Sequence, residues 1–199
     1  EEDRKYEIEV ERKRQEADKS GESYIAYNDL QRIVDAVKDE FDIILIDTTP
    51  YFSTATSSAH FVANNIIMPF RPAENDLDGI GKHIDHLAHQ YEVFSYLGHQ
   101  GYYSTIVQPM AVDRSNKAQK NILNRARDTY QRDYNSNIFP NSSAVTHCSS
   151  SYQTIFDLSK SEFEFGTKKT LLKIQEETQP LLDSIEDATL AFLAEQGEN

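Results

Sequence analysis

The sequence has little that would cross-link a small fold. It holds one cysteine, Cys148, and no tryptophan among 199 residues. A single thiol excludes an internal disulfide framework and a zinc site built from several cysteines, and it suits a reducing compartment. No apolar run approaches the roughly 20 residues that a membrane-spanning helix needs. The sequence therefore predicts a soluble, intracellular protein that contacts no membrane.

Positive charge is also scarce. The chain has 20 Lys and Arg residues against 33 Asp and Glu residues, which gives a formal net charge of −13. This balance excludes a generally basic nucleic-acid-binding protein but not a local basic patch. Hydrophobic residues make up 38 % of the chain, with 10 Phe and 11 Tyr, so the chain can bury a core. At roughly 150 residues per domain, we expect one domain, or one domain with an appendage.

The first 20 residues differ in composition from the rest of the chain. Fourteen of them are charged and only four are apolar. Such a composition is typical of a solvated helix or a mobile segment. We therefore divide the chain into a charged helical or mobile segment, residues 1–20, and an α/β domain, residues 21–199.

Helical and strand patterns alternate beyond residue 28. Helices are predicted over residues 28–40, 54–63, 75–94, 115–131 and 167–195, the last of them interrupted near Pro180. Buried parallel strands are predicted at residues 41–47, 66–70 and 102–107, and a Ser-rich loop at residues 142–151. This alternation predicts an α/β three-layer sandwich with a largely parallel sheet and helices on both faces.

One carboxylate closes the first predicted strand. Four consecutive apolar residues, Ile43 to Ile46, lead directly into Asp47. In parallel sheets the chemistry lies beyond the carboxyl ends of the strands. P-loop NTPases place an aspartate in this way to orient water on Mg²⁺. From the residues alone, a helix cap or a turn residue is an equal alternative for Asp47.

An ungapped pattern continues from this carboxylate to residue 80. Asp-Thr-Thr-Pro at residues 47–50 is followed by an apolar strand closed by Pro69, and then by Pro72, Leu77 and Gly79 at the start of the next helix. This pattern resembles the ParA/MinD family of partition ATPases, most closely its plasmid and secondary-chromosome partition proteins. A looser similarity extends to about residue 176. The resemblance implies a P-loop NTPase-like fold that here lacks its first strand and phosphate loop.

The same resemblance implies a function and a set of site residues. A complete protein of this kind binds Mg²⁺ and ATP, dimerises on non-specific DNA in the cytoplasm at the nucleoid, and is stimulated by a centromere-bound ParB-like protein. Asp47 would be the catalytic residue, holding Mg²⁺ through water. The residues implied at the switch and the nucleotide are Thr48, Thr49, Pro50, Asp113, Pro140 and Asn141.

The phosphate loop of that family is missing from the sequence. No G-x-x-x-x-G-K-[ST] motif occurs, and Gly79-x-Gly81-Lys82 lacks both the spacing and the hydroxyl. Without backbone N–H groups and a lysine to hold the phosphates, we expect this chain alone to be inactive as an ATPase and to bind neither ATP nor Mg²⁺ tightly. The preferred explanation is the C-terminal part of a longer partition ATPase. The alternative is a non-catalytic ParA-like scaffold or interaction protein.

A basic stretch stands out within the acidic chain. Residues 114–132 contain six basic side chains and one acidic side chain, Asp128. On a helix the cations lie opposite an apolar stripe formed by Ala118, Ile122, Ala126 and Tyr130, with Leu123 beside it. Such a face binds phosphates without reading the base sequence, although a merely solvated helix face is the alternative. The family resemblance favours DNA binding through Arg114, Lys117, Lys120, Arg125, Arg127 and Arg132.

Three histidines follow one another on the predicted helix at residues 75–94. His83, His86 and His89 are spaced at i, i+3 and i+6. A zinc site needs further ligands that converge on the same point. We therefore interpret these histidines as a polar helix face.

Overall fold

The structure, a computed structural model, describes residues 2–150, 152–157 and 165–197. Its helices are α1 Glu2–Ser20, α2 Tyr27–Val37, α3 Thr54–Val62, α4 Glu74–Tyr96, α5 Lys117–Tyr130, α6 Ser143–Ser150 and α7 Phe165–Gly197, with a short 3₁₀ turn at Gln131–Asp133. The strands are β1 Asn65–Phe70 and β2 Ser104–Pro109. The chain is therefore rich in helix, and α2 to α5 confirm the helical periodicity of the sequence.

The described residues divide into two compact units. The first comprises the residues up to Asn64 together with His86–Gly101. The second comprises Asn65–Asp85 together with the residues from Tyr102 onward. Helix α4 therefore contributes its first half to the second unit and its second half to the first unit. No described helix has the length and apolar composition needed to cross a bilayer.

Strands β1 and β2 form a small parallel sheet. Their register runs from Asn65 opposite Ser104 to Phe70 opposite Pro109. Along β1 the side chains alternate, since Met68 is buried whereas Ile67 is 39 % exposed. Period-two burial means that one face of β1 is covered. The expected burial on both faces is therefore wrong for β1.

The predicted strand at residues 41–47 does not form. Residues 41–50 are all exposed, and residues 43–49 have no regular secondary structure. A strand needs a hydrogen-bonded neighbour to satisfy its backbone groups, and no described strand pairs with this segment. The described sheet therefore has two strands, and the three-layer sandwich stays a prediction.

Aromatic packing forms the core of the first unit. Phe94 is completely buried, and its ring meets the rings of Tyr27 and Phe61 edge-on at centroid distances of 5.2 and 5.3 Å. Aromatic pairs in this geometry add stability beyond the area they bury. Val10 of α1 is only 2 % exposed. The charged first helix therefore contributes a side chain to the buried residues of this unit.

The predicted Ser-rich loop is wrong over residues 143–150, which form α6. Ala144 and Cys148 lie one turn apart on this helix and are both buried. They pack in one cluster with Ile155, Leu171 and Ile174. Burial of one apolar face outweighs the weak helix propensity of serine.

Helix α7 continues through Pro180, so the predicted interruption is wrong. Leu171, Ile174 and Leu181 are buried at helical spacing on both sides of the proline. Pro180 itself is exposed, and its carbonyl accepts a hydrogen bond of 3.1 Å from Asn137 Nδ2. The packed face thus offsets the backbone hydrogen bond that proline cannot donate.

Candidate functional site

The predicted switch residues lie in the first unit on an exposed segment. Asp47, Thr48, Thr49 and Pro50 are all exposed and lie outside helix and strand. No described residue donates a hydrogen bond to the Asp47 carboxylate. Since the sequence also lacks a phosphate loop, the described residues do not fit ATP or its Mg²⁺. The catalytic role of Asp47 therefore stays a prediction.

The helix that follows this segment is capped from another part of the chain. Glu7 of α1 accepts hydrogen bonds of 2.8 Å from both the backbone N–H and the hydroxyl of Thr54. Ser53 is the N-cap of α3 and accepts a hydrogen bond from the Thr56 N–H at 3.2 Å. A carboxylate at a helix N-terminus compensates the positive end of the dipole. Sequence reasoning missed Glu7, because nothing local to Thr54 indicates a partner 47 positions away.

The other predicted nucleotide residues lie close together in the second unit. The Val112 N–H donates to the Phe139 carbonyl at 3.0 Å, and the Asn141 N–H donates to the Val112 carbonyl at 2.9 Å. Val112 also forms a parallel bridge with Pro140. These bonds bring Asp113 beside residues 140–141. That this loop contacts a nucleotide base stays a prediction.

Asp113 shapes the turn that leads into α5. Its Oδ1 accepts hydrogen bonds from the Ser115 N–H at 2.9 Å and the Ser115 hydroxyl at 2.6 Å. These two hydrogen bonds lower the pKa of Asp113 below its ordinary value. Asn116 then caps α5, with its Oδ1 accepting from the Ala118 N–H at 3.0 Å and the Gln119 N–H at 3.3 Å. The turn thereby fixes the start of the cationic helix.

Helix α5 buries one face and exposes the opposite one. Ile122 and Ala126 are buried, whereas Lys117 and Lys120 are exposed. Ala118, expected in the apolar stripe, is exposed. The buried stripe is therefore shorter at its N-terminal end than the sequence predicts, and the two lysines occupy the first turn of the helix beside it.

Four of the six predicted DNA-binding cations have partners within the chain. Arg127 lies over the ring of Tyr134, with its Cζ 5.6 Å from the ring centroid. The remaining three pair with carboxylates: Arg125 with Glu74 at 2.7 Å, Arg132 with Asp133 at 3.6 Å, and Arg114 with Glu177 at 3.8 Å. Counting these carboxylates, the local excess of positive charge falls from five to two.

Lys117 and Lys120 differ from the four arginines. No described residue forms an ion pair with either lysine. Both ammonium groups are exposed on the first turn of a helix whose opposite face is packed. A rigid element that holds two uncompensated cations side by side suits the binding of a phosphate backbone. The cationic face of α5, defined as these two lysines, therefore lies on the first turn of the helix.

The histidines of α4 differ in their surroundings. The ring of His86 packs against the ring of Phe52 at a tilt of 33° and a centroid distance of 3.8 Å, and His89 is exposed. Nearby, the Nδ1 of buried His60 lies 2.9 Å from Gln90 Oε1. Within the described part of the chain, no three His, Cys, Asp or Glu residues are placed to hold a metal ion.

Comparison with known proteins adds one family. Residues 6–94 match the family model of the AAA domain, a P-loop ATPase family that includes ParA/MinD-like proteins. A search of curated proteins found no match. The matched region contains Asp47 and β1 and ends before α5. The match therefore supports a P-loop ATPase-type domain in the first half of the chain.

Proposed function

We propose that this chain is the DNA-binding part of a ParA-type partition ATPase and that it holds non-specific DNA on the cationic face of α5. The observation that carries the proposal is the exposure of Lys117 and Lys120 without a described ion-pair partner. The AAA-domain match supports the ATPase family over residues 6–94. The ParA-like pattern of residues 42–80 supports the partition type.

The size of the cationic face sets the kind of binding. The whole chain carries a charge of −13, which opposes DNA at long range. Each phosphate that a cation neutralises contributes a slope of about −0.9 to the dependence of log affinity on log salt. Two uncompensated lysines therefore give weak binding that salt readily abolishes. A homodimer that presents two such faces to one duplex binds more tightly, so we include the dimer in the proposal.

ATP chemistry requires residues that the described chain does not supply. Residues 43–46 are four consecutive apolar side chains, all exposed, and no described strand pairs with them. We propose that this segment pairs with a strand carrying the phosphate loop. The Mg²⁺, the ATP, the switch roles of residues 47–50 and the stimulating centromere-bound partner belong to that complete assembly.

A non-catalytic ParA-like interaction protein is the second candidate. The exposed apolar side chains of Phe41, Ile43 and Leu45 favour it, because an apolar segment on a surface marks a site for association. Calorimetry with ATP does not separate the two candidates for this chain alone, whereas retention of DNA does. Only the partition candidate requires DNA to bind the cationic face of α5.

Charge reversal at the two lysines tests the proposal. The variant Lys117→Glu/Lys120→Glu should lose at least about tenfold in DNA affinity at low salt, because two phosphate contacts become repulsions. The loss should be equal for duplexes of unrelated sequence. Fluorescence anisotropy with labelled duplexes measures both quantities.

The matched control reverses two charges elsewhere. Arg14 and Lys19 are exposed cations of α1, so Arg14→Glu/Lys19→Glu changes the net charge by the same amount. This control should retain most of the affinity. Equal losses of DNA affinity in the two variants would show that only net charge matters and would contradict DNA binding by α5.

A further inference from the structure

We propose that Glu74 withholds Arg125 from DNA, so that the Glu74–Arg125 pair regulates the cationic face of α5. This inference rests on the proposed function, since it concerns the availability of one cation at the same surface. Arg125 Nη1 lies 2.7 Å from both carboxylate oxygens of Glu74. This charge-assisted contact engages Nη1, one of the guanidinium nitrogens that a DNA phosphate would use.

Among the six cations of residues 114–132, Arg125 makes the shortest ion pair with a described carboxylate. The Arg132–Asp133 and Arg114–Glu177 distances are 3.6 and 3.8 Å, beyond ordinary hydrogen bonding. The positive charge of Arg125 is therefore the one most strongly compensated by a carboxylate. Releasing it extends the cationic face from the first turn of α5 into its third turn.

The pair is also easily exchanged. The side chains of Arg125 and Glu74 are 56 % and 61 % exposed. An exposed ion pair contributes little to stability, because water and salt compete with it. Arginine donates charge-assisted hydrogen bonds to phosphate as it does to carboxylate, so a DNA phosphate is a direct competitor for Arg125.

The position of Glu74 in the fold would let a movement of α4 change the availability of Arg125. Glu74 lies in the first turn of α4, shortly after the carboxyl end of β1. In parallel sheets ligands bind beyond that end of the strands. A shift of the first turn of α4 would carry Glu74 with it and change how firmly Arg125 is held. The pair therefore joins the segment that follows the carboxyl end of β1 to helix α5.

A double-mutant cycle in DNA binding tests the inference. The variants are Glu74→Gln, Arg125→Gln and the two together, with Glu186→Gln as a control that removes one exposed carboxylate of α7 for which the structure gives no ion pair. Glu74→Gln should bind DNA about three- to tenfold more tightly, with a salt slope steeper by about one phosphate contact. The gain should vanish in the Arg125→Gln background. Glu186→Gln should gain less than twofold.

Each other outcome has a definite meaning. If Glu74→Gln gains equally with and without Arg125, or no more than Glu186→Gln, the regulatory inference is wrong while DNA binding stands. If neither the wild type nor Glu74→Gln binds DNA at low salt, the proposed function fails and the inference falls with it. Binding by Glu74→Gln but not by the wild type would support the inference strongly. Thermal unfolding checks that every variant is folded.

Discussion

Buried histidines show how a single residue sets the response of the first unit to pH. His60 is 4 % exposed, and its Nδ1 lies within hydrogen-bond distance of Gln90 Oε1. Gln90 in turn donates a hydrogen bond to Ser57, which fixes the orientation of its amide. With the amide in this orientation, the Nδ1 of His60 is the donor to Gln90 Oε1. Burial lowers the pKa of His60, and the hydrogen bond to Gln90 only partly opposes this shift.

This shift predicts destabilisation by acid. Because the pKa of His60 is lower in the folded state, the unfolded chain binds more protons in acid. The contribution of His60 to stability is therefore complete above its ordinary pKa of 6.5 and is lost as the pH falls from there through the lowered folded-state pKa. Burial also lowers the pKa values of His86 and His99, which adds to the effect. Denaturant unfolding at about pH 7.5 and about pH 5.5 should show the loss for the first unit.

Replacing His60 by Gln should reduce that loss, whereas replacing exposed His89 by Gln should leave most of it. An identical pH dependence in the wild type and in His60→Gln would contradict the assignment. Substitution of a buried residue can itself disturb packing, so NMR measurement of the His60 pKa in the wild type is the second test. It should titrate below the ordinary value.

At the scale of elements, α7 is the clearest conflict between local preference and packing. Pro180 removes one backbone hydrogen bond inside a 33-residue helix, yet the helix continues because its buried face lies on both sides. Proline costs about 3 kcal/mol relative to alanine in a helix interior. Pro180→Ala should therefore raise the free energy of unfolding of the second unit by about 1–3 kcal/mol.

Chemical denaturation of Pro180→Ala beside the exposed-site control Glu186→Ala measures this gain. The control should change stability by less than about 0.5 kcal/mol. A loss of stability in Pro180→Ala would mean that the local geometry set by proline is needed for packing against Asn137, whose side chain bonds to the Pro180 carbonyl.

The elements also show what the sequence could and could not predict. Helical periodicity located α2 to α5 because their apolar spacing is local information. The run at residues 41–47 has the composition of a buried strand, but strand formation depends on a neighbour that local sequence cannot supply. The loop prediction for residues 143–150 was wrong because the buried side chains of Ala144 and Cys148, which pack against residues distant in sequence, stabilise a helix there.

The candidate site divides along the same line. Composition and spacing predicted the six cations of residues 114–132 as one helix face, and the family resemblance implied their role in DNA binding. Their partners were not, since Glu74 is 51 positions from Arg125 and Glu177 is 63 positions from Arg114. Long-range ion pairs depend on how helices pack, and sequence periodicity carries no information on that. The structure therefore divides the six predicted cations into two groups. Lys117 and Lys120 have no described ion-pair partner, whereas the four arginines contact a carboxylate or an aromatic ring.

At the scale of the whole molecule, the proposed function rests on two surfaces of opposite character. One is the exposed apolar segment of residues 41–46, where Leu45 is 84 % exposed. The other is the cationic face of α5 on a chain of net charge −13. No described strand pairs with the first surface, and no described carboxylate pairs with Lys117 or Lys120 on the second. Both features fit a chain that works in association with a further strand and with a polyanion.

The dependence of DNA affinity on salt tests the central claim most directly. Wild-type protein should bind unrelated duplexes equally, with a slope of log affinity against log salt of about −2 for the two lysines, or about −4 if a dimer binds. No detectable binding at low salt by either the wild type or Glu74→Gln would contradict DNA recognition by α5, and so would binding with a slope near zero.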